Sequence, residues 1–317
     1  MYSLITLIKK YHKILQILIS AIILLIILRD INFNQLFTII KSINIQWYIH
    51  AIIIFAFSVI IVSYKWWKIL VFQGYSYEYK KIFKINLGAS FYNQFLPSRV
   101  GGDAIKIFFL IKDRVKEKGK ISMSVIIDRL FNLLGIILVA VFSSLTLKKD
   151  TTLFVVMISI FFSLILMLFF VVLISGYFKK KLFIKMTIVK KIINTLHSIK
   201  YYINSLKKIL FMIIGGVLYA MLTFIMNYYL GKSLGINISL DYYLFFLPII
   251  FVATIIPISF GGFGIREGGF VYFLGLVGVD QEHALSLSLL SYFTVLILSA
   301  PGYFLLIMDS SSKKDID

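Results

Sequence analysis

The sequence LPSRVGGD, residues 96–103, interrupts an apolar stretch that runs from Ile85 to Ile111. A second apolar stretch, from Tyr242 to Val279, is interrupted by IPISFGGFGIRE, residues 256–267. Proline removes a backbone donor and glycine loosens a helix, so each segment is expected to break helical hydrogen bonding. The pieces beside each break are shorter than the roughly 20 residues that a membrane-spanning helix needs. The sequence therefore predicts two broken helices here.

The rest of the chain is also strongly apolar. Of its 317 residues, 60% are hydrophobic, and the mean hydropathy is +0.94. A soluble protein is about 45–50% apolar, and such an excess cannot be covered by polar surface. The chain is therefore predicted to be an integral membrane protein. Six stretches are interpreted as full spans, the first of them extended at its start: Ile14–Leu28, Trp47–Trp67, Ile121–Leu145, Leu153–Tyr177, Ile209–Leu230 and Ala284–Met308.

Basic residues lie mainly between the apolar stretches, and they indicate the orientation of the chain. The formal net charge is +19, and cytoplasmic loops are the ones that collect Lys and Arg. The basic N-terminus, the loops on both sides of the first broken stretch, and the segment 178–208 with its nine lysines are therefore placed inside. The basic residues before that first stretch are Lys65, Lys68, Lys80, Lys81 and Lys84. Nucleic acid is excluded as a partner, because no soluble binding module is present.

A broken stretch that begins and ends on one side of the membrane is a re-entrant hairpin. The first stretch, 85–111, begins and ends inside, and the second, 242–279, must begin and end outside if Lys313 and Lys314 are to reach the cytoplasm. Both termini are then cytoplasmic. The two breaks also align without gaps, since each has the pattern Pro-x-x-x-Gly-Gly.

The chain therefore divides into two similar halves, 1–150 and 151–317. Each half contains two spans, a re-entrant hairpin and a third span, and the second half carries the basic loop. Because three spans are an odd number, the halves have opposite orientations, an arrangement that places a substrate site where the interrupted segments meet. The predicted fold is all-α integral membrane, with about six full transmembrane helices plus two re-entrant broken-helix hairpins in an inverted repeat.

Charged residues at the breaks are the first candidates for a substrate-binding site, because charges at membrane depth are rare and usually face a cavity or a partner. Arg99 and Asp103 flank the first break, and Arg266 with Glu267 closes the second. Two arginines on opposed hairpins are suited to binding a phosphate bidentately. In the alternative interpretation, each arginine pairs with its neighbouring acid and only holds its hairpin in place.

A second group of candidates lies close to the breaks in sequence or inside an apolar span. Asp128 and Arg129 fall within a predicted span, where they either reach Arg99 or Asp103 or lie near the cytoplasmic end. Polar side chains and glycine backbone donors beside the breaks complete the predicted substrate-binding set: Asn93, Gly101, Gly102, Ser259, Gly261 and Gly262. A capping or packing role remains open for Asn93.

Signatures of catalysis are missing from the sequence. There is no cysteine, and the four histidines are scattered without the spacing of metal ligands. No nucleophile elbow and no complete dinucleotide fingerprint is present. No catalytic residue, metal or cofactor is therefore predicted.

The motifs together resemble those of a known family. Asn93-x-x-Leu96-Pro97-x-Arg99-x-Gly101-Gly102-Asp103, then Asp128-Arg129-Leu130, then Pro257-x-Ser259-x-Gly261-Gly262-x-Gly264-x-Arg266-Glu267 are similar to the flippase-like family named for the transmembrane region of lysylphosphatidylglycerol synthase. The resemblance covers the chain from about Ile14 to Met308, with Asp128 where that family is expected to have Glu.

The resemblance implies a lipid translocase that moves a phospholipid or glycolipid headgroup across the cytoplasmic membrane. Its expected partner is a membrane lipid with an anionic or phosphate-bearing headgroup. Two alternatives remain: a membrane-embedded lipid aminoacyl- or glycosyl-transferase, with Asp103 or Asp128 as base, and a non-transporting partner subunit of a separately encoded lipid-modifying enzyme.

Overall fold

The computed structural model describes residues 2–29, 31–96, 101–111, 118–146, 205–255 and 258–311, and over these residues the regular structure is helical throughout. A 3₁₀ turn, Phe260–Gly262, lies inside the second break. The described α-helices are α1 Tyr2–Arg29, α2 Phe33–Lys41, α3 Ile45–Phe72, α4 Tyr79–Phe95, α5 Gly101–Ile111, α6 Lys118–Thr146, α7 Leu206–Ser233, α8 Leu240–Ala253, α9 Ile265–Gly275 and α10 Gln281–Ser311.

Four of the described helices, α3, α6, α7 and α10, are long and apolar enough to cross a membrane. The last part of α1 qualifies only together with α2, from which it is bent by 88°, so the number of candidate spans is four or up to five. Four of the six predicted spans are thus confirmed as parts of long apolar helices. The predicted span Leu153–Tyr177 and most of the loop 178–208 lie outside the described residues.

Asparagine caps explain why helices begin where they do. The Asn44 side chain accepts hydrogen bonds from the backbone N–H groups of Gln46 and Trp47, at 3.0 and 3.4 Å. Such a cap satisfies donors that have no partner inside the helix. Helix α3 therefore begins at Ile45, two residues before the predicted start. Asn32 caps α2 in the same way.

The first predicted break is confirmed by the ends of its two helices. Helix α4 ends at Phe95, and α5 begins at Gly101. The backbone N–H of Gly102 donates to Oδ1 of Asn93 at 2.8 Å, and a Cβ atom at Gly102 would meet the carbonyl oxygen of Ala89. Helix α5 therefore folds back onto α4.

The second predicted break is confirmed by its backbone. Gly261, Gly262 and Gly264 have φ values of +63°, +83° and +84°, which only glycine adopts without strain. The chain then reverses direction. The close packing of α9 on α8 shows this, since a Cβ atom at Gly269 would lie 2.8 Å from the Ile250 side chain. Helix α9 therefore returns along α8.

Helices from the two halves of the chain are interlaced. Helix α4 packs on α10, and the backbones of Gly88 and Gly302 lie in contact there. Helix α8 packs on α6, where the Ser143 hydroxyl donates to the Leu244 carbonyl at 3.0 Å. Helix α7 packs on both α3 and α6. Helix α1 is tied to the second break, since the Phe260 N–H donates to the Ser20 hydroxyl at 2.8 Å.

Candidate substrate-binding site

A cavity of about 260 Å³ lies between the two broken helices, and α3 to α10 all contribute to its lining. The tips of the breaks meet beside it. The hydroxyl of Tyr292 donates to the Gln94 carbonyl at 3.1 Å, and a Cβ atom at Gly261 would lie 3.4 Å from the Leu96 carbonyl oxygen. The polar residues of the lining are Ser58, Asn86, Ser90, Asn93, Gln94, Asp103, Lys106, Asp128, Arg129, Asn132, Tyr219, Thr223, Asn227, Arg266, Ser291 and Tyr292.

A buried ionic network centred on Asp128 forms one wall. Its side chain is 2% exposed, and Oδ1 lies 3.1 Å from Nζ of Lys65, which is 1% exposed. Oδ2 lies 3.7 Å from Nζ of Lys106. Nζ of Lys65 also donates to the Asp128 carbonyl at 3.2 Å and to Oδ1 of Asn132 at 2.5 Å. Pairing of this kind is needed, because an isolated buried charge is very costly.

A second ion pair lies next to this network, between α5 and α6. Nε of Arg129 lies 2.9 Å from Oδ2 of Asp103, and both side chains are partly exposed to the cavity. Arg129 therefore reaches the first break, whereas Asp128 pairs with Lys65 and Lys106 instead. The contact between Arg129 and Asp103 joins the start of α5 to the middle of α6.

The third ion pair belongs to the second break. Nε and one terminal nitrogen of Arg266 donate to Oε1 of Glu267, the former at 3.0 Å. Oε2 of Glu267 accepts from the Gly264 N–H at 2.7 Å and so caps α9. The guanidinium of Arg266 also lies 4.8 Å from the ring centre of Tyr292. Its position is therefore fixed by an acid and an aromatic ring, while it still lines the cavity.

Helix α7 contributes neutral polar groups to the lining. Tyr219, Thr223 and Asn227 lie at successive turns of α7 and line the cavity. Within the described part of the chain, Oδ1 of Asn227 is buried and accepts no hydrogen bond. Helix α7 therefore contributes neutral polar side chains to the lining, whereas α5 and α6 contribute charged ones.

The structure brings most of the predicted site residues together. Six of them line the cavity: Asn93, Asp103, Asp128, Arg129, Gly261 and Arg266. Five others lie just behind the lining: Gly101, Gly102, Ser259, Gly262 and Glu267. Among these, Gly102 binds Asn93 and Glu267 binds Arg266. Arg99 lies outside the described residues.

Two lysines of the site were not predicted. The sequence places Lys65 among the basic residues next to a cytoplasmic loop, whereas the structure buries its side chain inside α3, where it binds Asp128. Lys106 lies in the apolar sequence Ile105 to Leu110 and attracted no prediction. A lone charge in an apolar stretch is the signal that would have identified Lys106.

Comparison with known proteins supplies the context for this cavity. The family model of the lysylphosphatidylglycerol synthase TM region matches residues 13–302. The UPF0104 membrane protein MJ1595 of Methanocaldococcus jannaschii is 29% identical over 126 residues, which are 39% of this chain and 38% of that protein. The matched segment therefore spans well under half of that relative.

Proposed function

The chain belongs to the family of the lysylphosphatidylglycerol synthase transmembrane region and is an all-helical integral membrane protein over its described residues, and from this premise we propose that it is a lipid translocase. It moves the phosphate-bearing headgroup of a phospholipid or glycolipid across the cytoplasmic membrane. The observation that carries the proposal is the charged cavity between two broken helices. Broken helices at membrane depth are tolerated where they line a cavity, and such cavities mark substrate paths.

The size of the cavity favours a headgroup over a whole lipid. Its volume of about 260 Å³ lies just below the roughly 300–1,000 Å³ of sites that enclose drug-sized molecules. Four helices are long and apolar enough to face lipid, so the acyl chains are proposed to stay in the bilayer while the headgroup passes through the cavity.

The two arginines that line the cavity are proposed to bind the phosphate. Arg129 and Arg266 are held by Asp103 and Glu267 respectively, so both guanidinium groups are oriented before a ligand arrives. Arginine binds phosphate with two parallel N–H donors. The predicted contribution of Arg99 remains part of the proposal.

We further propose the inverted repeat of six spans and two re-entrant hairpins as the transport architecture. The interlaced contacts support it: α4 packs on α10, and the equivalent helix of the other half, α8, packs on α6. Helices α3 and α7, which are equivalent in the two halves, pack on each other. Alternating access then arises when one bundle rocks against the other around the fixed cavity.

The topology predicts a labelling pattern. The chain has no cysteine, so single cysteines are introduced at Lys80, Lys116, Lys190 and Gln281. The first three are expected to react with a membrane-impermeant maleimide only from the cytoplasmic side, and the last only from outside, because both termini and the basic loops are placed inside. Labelling of positions 80 and 116 from opposite sides would eliminate the first re-entrant hairpin.

Loss of the Arg266 charge is expected to slow transport strongly. The double variant Arg266→Gln, Glu267→Gln removes both charges of a buried pair, and the amide oxygen introduced at position 267 still accepts from the Gly264 N–H that Glu267 binds at 2.7 Å. A charge-assisted hydrogen bond contributes about 1.5–3 kcal/mol, so lipid exchange should fall by about tenfold or more. The measurement is leaflet-specific lipid labelling in proteoliposomes made with the host's lipid extract.

A monodisperse size-exclusion profile serves as the folding control for this variant. Wild-type exchange by the folded double variant would remove Arg266 from the proposed site. Absence of exchange by the wild-type protein, with and without a proton gradient, would favour the partner-subunit function instead. Product formation from an aminoacyl or glycosyl donor by the purified chain would favour the transferase function.

A further inference from the structure

Lys106 lines the cavity, and its ammonium group makes only a long contact with a carboxylate. Its side chain is 10% exposed, and it is one of the residues that line the cavity. The distance of 3.7 Å between its Nζ and Oδ2 of Asp128 exceeds the roughly 2.7–3.2 Å of an N–H···O hydrogen bond. Lysine carries three N–H donors. The ammonium group therefore keeps donors available to a ligand in the cavity.

Asp128, the ionic partner of Lys106, is bound more closely by another lysine. Asp128 lies closer to Lys65, at 3.1 Å, and Lys65 also donates to the Asp128 carbonyl and to Asn132. Lys65 is fully enclosed by protein and is not part of the cavity lining. Two ammonium groups thus share the Asp128 carboxylate. The ammonium group with the longer contact, that of Lys106, faces the cavity.

The charges around the cavity leave a cationic excess. Arg129 pairs with Asp103, and Arg266 pairs with Glu267. Lys65 and Lys106 share Asp128. Among the described residues that line the cavity or bind its charged groups, the surplus positive charge is therefore at Lys106.

A fixed aromatic ring holds Lys106 in this position. Its Nζ lies 4.9 Å from the ring centre of Trp66, and the indole N–H of Trp66 donates to the Ser124 hydroxyl at 3.1 Å. Trp66 is completely buried. A cation above a fixed ring face is stabilised without losing its N–H donors, so the ring holds the Lys106 side chain at the cavity.

We propose that Lys106 is the residue that selects lipids with a net negative headgroup over zwitterionic ones. This inference rests on the proposed function and deepens it. An anionic headgroup replaces the long contact with Asp128 and neutralises the surplus charge, while Asp128 keeps its short contact with Lys65. A zwitterionic headgroup brings its own cation into the same cavity and neutralises nothing.

Lipid selectivity tests this role. Proteoliposomes of phosphatidylcholine carry a trace of fluorescent phosphatidylglycerol, which is anionic, or of fluorescent phosphatidylethanolamine, which is zwitterionic. We expect the wild-type protein to exchange the anionic probe faster. In Lys106→Gln the ratio of the two rates should fall about tenfold, the loss of one charge-assisted contact, and Lys106→Arg should restore much of it.

The chain offers a matched control in Lys68. Its Nζ lies over the Trp67 ring at 4.7 Å, outside the cavity lining, so Lys68→Gln removes a lysine charge without touching the site and should keep the wild-type ratio. Lys106→Gln should also remain folded, because Asp128 and Lys65 then form a one-to-one pair. An unchanged ratio in Lys106→Gln overturns the proposal.

Binding separates failure of this proposal from failure of the proposed function. Dihexanoyl phosphatidylglycerol is titrated calorimetrically into the detergent-solubilised wild-type and Lys106→Gln proteins, with dihexanoyl phosphatidylethanolamine as the second probe. Weaker binding of the anionic probe alone in the variant supports the role of Lys106 even if the wild-type protein exchanges no lipid, a result that would reject translocation. Equal binding of that probe by both proteins rejects the role of Lys106.

Discussion

Replacement of Asp128 by alanine is expected to prevent accumulation of folded protein. The change leaves two ammonium groups, those of Lys65 and Lys106, without their carboxylate at 1% and 10% exposure. Removing one partner of a buried ion pair costs about 3–5 kcal/mol, a large part of the roughly 5–15 kcal/mol by which domains are stable. The measurement is the monodisperse yield and the midpoint of thermal unfolding in detergent.

A charge-free replacement of the same network controls for lost packing. In the triple variant Lys65→Met, Lys106→Met, Asp128→Leu, apolar side chains of similar length fill the space, and such replacements are often neutral or stabilising. The triple variant is therefore expected to fold and to lose transport. If Asp128→Ala alone unfolds at the wild-type temperature, the network does not contribute to stability as inferred.

Valine at position 216 is expected to separate two helices. A Cβ atom at Gly216 would meet the carbonyl oxygen of Phe131, and one at Gly135 would meet that of Gly216, so α6 and α7 touch backbone to backbone. Small residues permit such close approach in membranes. Because backbone cannot move aside as a side chain does, Gly216→Val should cost about 3 kcal/mol or more.

The matched control is Gly119→Val near the start of α6, where a Cβ atom would meet nothing within 4 Å. Thermal unfolding of both variants in the same detergent gives the comparison. We expect Gly119→Val to unfold near the wild-type temperature and Gly216→Val well below it. Equal unfolding temperatures for the two variants would show that the helices can adjust their separation.

The two breaks could be predicted from the sequence because their causes are local. Proline and glycine change the backbone at their own positions, and the positive φ values of Gly261, Gly262 and Gly264 follow directly from the pattern. The contact between Asp103 and Arg129 could also be predicted, because the two charges lie close together in sequence, within one predicted half. Orientation in the membrane and the inverted repeat remain proposals.

The position of Lys65 in the site could not be predicted in the same way. Lys65 lies about 10 Å from the C-terminal end of α3, at roughly 1.5 Å per residue, so the sequence alone places it near the basic loop. Its burial results from packing of α3 against α6 and α7. A Cβ atom at Gly215 of α7 would lie 2.8 Å from the Lys65 side chain, and such a contact between distant segments has no local sequence signal.

The network around Asp128 also has a consequence for biosynthesis. Lys65 and Asp128 are 63 positions apart, and Lys106 lies between them, so all three charges are synthesised before any residue of the second half. By contrast, the contact between Gln94 and Tyr292 spans 198 positions. The charges can therefore neutralise one another while the first helices enter the bilayer, when a lone lysine would be most costly. The cavity, which Tyr292 of the last helix also lines, is complete only after that helix is made.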